Sequence, residues 1–254
     1  MLQFALGIIV KQSRIRASAR RLPLVFAGLL AGAFIFSPTS HAQSKQEERL
    51  AESAKVLKEV MDTPDKGIPQ DLLSRAACVG VLPSVKKLAI GVGAQHGAGF
   101  ILCRRNEGKG DWGPPSGFSM SGGSVGFQLG ASATDYVLLF MNIDGIRKLL
   151  QDKFTLGVDG AVAAGPVGRN ATAATDAQMT AKVLAYSRSK GLFAGISLSG
   201  AVLRPSVDDN KSLYGREINA KDLLLTGGSP PPSAARPLLQ LLGKISPGLS
   251  RKPL

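Results

Sequence analysis

Residues 79–104 read VGVLPSVKKLAIGVGAQHGAGFILCR, and residues 118–141 read FSMSGGSVGFQLGASATDYVLLFM. Both break short apolar runs with glycine, and neither has the 3.6-residue apolar spacing of an amphipathic helix. Stretches 79–82, 87–92 and 97–104 read as strands, and so do 118–120, 125–129 and 136–141. Gly122-Gly123 reads as a hairpin turn. Glycine repeated within strand-like runs implies bulges or barrel-like bending.

Helical signals lie outside this β-rich block. On its N-terminal side, 45–62 (KQEERLAESAKVLKEVMD) places Leu50, Ala54, Leu57 and Met61 on one helical face. Glu47, Glu48 and Glu52 lie early and Lys55 and Lys58 later, as the helix dipole favours. Pro64 and Gly67 end it, and 70–78 forms a second, shorter helix. The apolar stripe has two readings: packing on the core, or lying on a bilayer. On the C-terminal side, 143–153 reads as a helix with Asn142 as N-cap. Strands follow at 154–164, 181–187 and 192–203, and a helical turn at 222–225. Residues 227–254 are Pro-rich and hold no acidic residue, which predicts a disordered basic tail with at most a brief amphipathic helix at 238–245. The expected fold class is α+β: a mainly antiparallel, Gly-rich, strongly twisted or barrel-like sheet with N-terminal helices and one or two short inserted helices.

The chain has 254 residues, 44% hydrophobic and 19% charged, enough for one medium domain with appendages. Its formal net charge is +13. Residues 1–42 carry Lys11, Arg14, Arg16, Arg20 and Arg21 without an acid, and beyond them 26 basic residues face 18 acidic ones. Such an excess favours lipid headgroups or nucleic acid. The first 42 residues read as a signal peptide: an Arg-rich stretch, the apolar run 22–36, then Ser40-His41-Ala42 as a cleavage site. The run falls short of the roughly 20 residues of a membrane span. An uncleaved anchor is the alternative. A periplasmic or secreted address removes nucleic acid as a partner. In that compartment Cys78 and Cys103 are disulfide candidates, the other reading being two buried small side chains.

The search for chemistry returns little. Residues 122–126 fit G-x-S-x-G, but the nucleophile elbow needs a strand-to-helix turn and a later histidine. His96 is the only histidine after residue 42, and it comes earlier. Gly91-Val92-Gly93 with Gly97 misses the dinucleotide spacing, and one His with two separated Cys is no zinc set. No cofactor, metal or catalytic residue is expected.

Residues 65–226 resemble the SYLF domain, a lipid-binding family. The resemblance is carried by Ile68-Pro69-Gln70-Asp71-Leu72-Leu73, Val81-Leu82-Pro83-Ser84-Val85-Lys86-Lys87, Trp112-Gly113-Pro114-Pro115, residues 121–130 and Thr134-Asp135-Tyr136-Val137. Its most specific pieces are Leu156-Gly157, Ala164-Gly165-Pro166-Val167-Gly168-Arg169 and residues 186–195 (YSRSKGLFAG). The resemblance implies a non-enzymatic module that binds anionic phospholipids or phosphoinositides at a membrane. Candidate lipid contacts are Lys86, Lys87, Arg104, Arg105, Lys109, Arg147, Lys148, Arg169 and Lys190, with Trp112 at the headgroup level or half-buried in the core. Each basic residue near an anionic surface adds about 1 kcal/mol of attraction. A protein–protein platform in the envelope, its partner unknown, and a carrier of a small apolar ligand are the competing readings.

Overall fold

The computed structural model describes residues 44–63, 67–168, 180–189 and 191–248, side chains at 90–91 and 124–129 excepted. Contacts divide the chain into Met1–His41 and Ala42–Leu254, and every described residue lies in the second unit. The expected leader, Arg169 and Lys190 lie outside the described residues. The chain runs through α1 (Lys45–Met61), α2 (Gln70–Arg75), β1 (Cys78–Cys103), β2 (Ser116–Phe140), α3 (Ile143–Leu149), β3 (Phe154–Thr155) and β4 (Val162–Ala164). It continues with β5 (Val183–Ser189), β6 (Leu192–Gly195), β7 (Val202–Pro205), α4 (Val207–Tyr214), a π-helical turn Asp222–Thr226, a 3-10 turn Ser233–Ala235 and α5 (Arg236–Ile245).

This is an α+β fold with a strongly curled, mostly antiparallel half-barrel. β1 and β2 pair antiparallel from Cys78↔Phe140 to Ile101↔Ser116. The end of β2 takes β5, and its beginning takes β7. β3 adds to β7, β6 to β5, and β4 joins β5 in parallel. The six short strands expected between 79 and 141 are therefore two long ones. Gly122 and Gly123 form no hairpin turn; they sit mid-ladder opposite Gln95 and Ala94. The chain reverses instead through 104–115.

What the glycines provide is close approach. The ribbon folds back until Cys78 and Cys103, the two ends of β1, form a disulfide with Cα atoms 4.0 Å apart. A Cβ on Gly99 would lie 2.0 Å from the Val81 carbonyl oxygen, and one on Gly97 would lie 2.6 Å from Val85 Cγ2. Any side chain at either position would hold the layers apart.

Where the ends of the β1–β2 ribbon meet, the sheet is buried on both faces. Leu138, Phe140, Ile101 and Phe118 join Ile146 of α3 in one cluster. Val137, Leu139, Phe100 and Leu102 meet Leu50 and Leu57 of α1 and Leu238 and Leu242 of α5 in the other. Hence 136–141 and 99–103 read as unbroken apolar runs without alternation. α1 starts in a capping box between Ser44 and Glu47, and its apolar stripe packs on the sheet. Such a cap is worth about 1 kcal/mol.

Three further sequence expectations change. The strand expected over 154–164 divides into β3 and β4, separated by a turn with Gly157 at φ 86°. The strand expected over 192–203 divides into β6 and β7. The tail expected to be disordered is folded through Gly248, with Ala235, Leu238 and Leu242 fully buried. Its low charge and its leucines at helical spacing find an apolar surface on α1, which local composition cannot reveal.

Candidate functional site

The candidate lipid contacts fall into separate places. Arg104 and Trp112 leave the surface altogether. Arg104 is 2% exposed and Trp112 8%, and the guanidinium stacks 4.2 Å from the indole centroid. Arg104 Nε donates to Ala76 O at 3.2 Å, Nη1 to Gly110 O at 3.2 Å, and Nη2 to Ser246 O at 2.8 Å and Ser246 Oγ at 2.5 Å. Trp112 Nε1 donates to the same Ser246 carbonyl at 2.9 Å, and Ser246 Oγ donates to Leu73 O at 2.9 Å. Burial lowers the Arg104 pKa from its ordinary value and Asp111 opposes the shift. Guanidinium stays charged even so, and here carbonyl dipoles solvate it in place of water. Neither residue can touch a headgroup: together they clamp the end of α5 onto the loop before β2.

Arg105, Lys109, Arg147 and Lys148 are exposed, and of these Arg147 is paired with acids. Arg147 Nη2 pairs with Glu107 Oε1 at 2.9 Å and its Nη1 with Asp144 Oδ1 at 3.2 Å. Lys148 Nζ donates to Asp159 O at 3.2 Å. Lys86 and Lys87 lie elsewhere, on the middle of β1, with Lys86 exposed and Lys87 partly so. A bulge between Leu82 and Val85 precedes them, where Pro83 has no N–H to give the ladder and Ser84 takes φ 51°. Ser84 N donates to Asp135 Oδ1 at 2.8 Å, and Arg188 Nη2 meets Asp135 Oδ2 at 2.8 Å. Arg188 also pairs with Glu59 of α1. Burial pushes the Asp135 carboxyl above its ordinary value, and the Ser84 amide opposes this. The Arg188 guanidinium in contact favours the charged form of Asp135.

The glycine-rich motif pieces are packing devices. A Cβ on Gly165 would lie 2.0 Å from Tyr186 Cζ, and one on Gly195 would lie 2.0 Å from Gly165 O. Tyr186 stacks on Phe193 with centroids 5.4 Å apart. Burial raises the Tyr186 hydroxyl above its usual range, with Asp71 adding to the shift. Residues 122–126, the G-x-S-x-G match, lie in continuous β2, so no nucleophile elbow exists there. Among the described residues no cluster of His, Cys, Asp or Glu could hold a metal ion, and no helix is long and apolar enough to cross a membrane.

The residues that sequence reasoning passed over are Leu88 and Val92. They are 65% and 70% exposed, on the same strand as Lys86. The legible signal is a period of two: large residues at 86, 88, 90 and 92 against Ala89, Gly91 and Gly93.

The glycine-rich motif pieces pack the curled sheet. Comparison with known proteins gives the chain a family. Residues 121–245 match the Ysc84 family, described as Las17-binding protein actin regulator, and the chain carries a domain of this Ysc84/SYLF family. LAS seventeen-binding protein 3 of Saccharomyces cerevisiae is 35% identical over 181 residues, covering 70% of this chain and 39% of the relative. SH3 domain-containing YSC84-like protein 1 of Homo sapiens is 32% identical over 209 residues, 80% of this chain and 60% of the relative. Protein YSC84 of Saccharomyces cerevisiae is 35% identical over 181 residues. The chain thus spans between about two fifths and three fifths of these relatives' own lengths. The first of these is named for binding, and none of the three names states a reaction.

Proposed function

We propose that this chain is an exported, non-enzymatic module that docks on anionic phospholipid headgroups, phosphoinositides among them, at a membrane surface. The observation that carries it is the unequal placement of charge. On the ribbon, 78–103 and 116–134 carry Lys86 and Lys87 and no carboxylate at all, while exposed Arg147 stands between Glu107 and Asp144. A ribbon that carries cations and no carboxylate of its own attracts an anionic leaflet, and salt weakens that attraction. The Cys78–Cys103 bond supports an oxidising compartment, as do the leader-like first 42 residues.

The test uses protein recovered from the envelope fraction of cells expressing the full chain. Mass spectrometry is expected to find Gln43 at its N-terminus. Co-sedimentation with phosphatidylcholine vesicles is expected to rise on adding phosphatidylglycerol or a phosphoinositide, and to fall with salt. Equal binding to neutral and acidic vesicles would falsify the electrostatic mechanism. A second reading is a protein-binding platform, favoured by the Las17-binding description of the matched family. Vesicle-independent capture of one stoichiometric envelope protein is its expected signature.

A further inference from the structure

The middle of the β1–β2 ribbon stands apart from the rest of the sheet. β5 and β7 accompany β2 only along 135–140 and 118–121. From Gly122 to Thr134, β1 is its only ladder partner among the described strands. None of the residues described for burial between Ser121 and Thr134 is buried. On β1 the exposure alternates. Lys86, Leu88, Val92, Ala94 and His96 are exposed, while Val85, Ala89 and Gly93 are buried. One face of this arm therefore presents two branched apolar side chains to water, headed by a lysine. Lys86 has no ion-pair partner among the described residues.

We propose that this arm is the element that seats on the membrane, with Lys86 at the phosphate level and Leu88 and Val92 entering the headgroup–acyl boundary. The proposal rests on the lipid reading above and deepens it by naming the contact. Charge complementarity chooses the occupant: the arm has cations and no carboxylate, so an anionic leaflet suits it and an identical cationic arm does not. Geometry limits the depth. A two-stranded ribbon has unpaired backbone edges, which hydrocarbon does not tolerate, so the backbone stays at headgroup level and only side chains descend. This is the strand counterpart of an interfacial amphipathic helix.

The test combines Leu88→Ser with Val92→Ser in the full chain and, separately, installs Leu88→Trp. Both sites are exposed, so the thermal midpoint is expected to stay unchanged. Partitioning onto phosphatidylglycerol-containing vesicles is expected to weaken by about tenfold or more, since two apolar side chains no longer leave water. The Leu88→Trp reporter, set against the constant emission of buried Trp112, is expected to shift to the blue on those vesicles and to be quenched by lipids brominated near the headgroup. If the parent chain binds and the double variant binds equally well with no reporter shift, the arm is not the contact and the lipid reading survives. A parent chain that ignores anionic vesicles sinks both. A concentration-dependent dimer that the double variant abolishes would also overturn the proposal, by assigning the arm to a second copy.

Discussion

Gly165 has no room for a side chain, because its Cα lies against the Tyr186 ring and its carbonyl lies under Gly195. Gly165→Ala is expected to lower stability by about 1–3 kcal/mol, the usual cost of forcing extra carbon into a packed interior. A chemical-denaturation midpoint equal to the parent's would contradict this contact. Arg104 makes the same point for a charged residue. In the sequence it is one arginine of the pair 104–105, and nothing local distinguishes them. The fold buries the first among four acceptor contacts and leaves the second in water. The difference follows from strand alternation and from a serine 142 positions away.

At the scale of elements, the long ribbon is the feature that the local signals misrepresented. Glycine pairs usually mark turns, but Gly122-Gly123 belongs to a strand because a second strand lies opposite it without interruption. The disulfide fixes the curl by tying the ends of one strand that are 25 positions apart. Closing a loop of that length in the unfolded chain is worth about 3 kcal/mol. The double variant Cys78→Ser, Cys103→Ser is expected to lose about that much in urea unfolding. Dithiothreitol should lower the parent to the same midpoint and leave the double variant unmoved. A parent indifferent to reductant would show that packing alone holds the curl.

For the folded unit as a whole, the C-terminal segment is structural. α5 covers α1, and Ser246 receives both Arg104 and Trp112. Removing 227–254 strips Leu238 and Leu242 from the outer core, which is expected to cost at least about 3 kcal/mol. It also leaves the Arg104 guanidinium without two of its acceptors. A truncated chain that melts with the parent's midpoint would mean that this segment rests on the surface without stabilising it.

The sequence by itself determined the α+β class, the first helix with its stop, and the family, because these rest on local periodicity and on ordered short motifs. Tertiary structure alone decided which cations are buried or paired, since their partners lie far along the chain: Ser246 for Arg104, Asp135 for Arg188, Glu107 for Arg147. It also decided that Leu88 and Val92 stay exposed, because a strand's outer face is covered only if another element arrives to cover it.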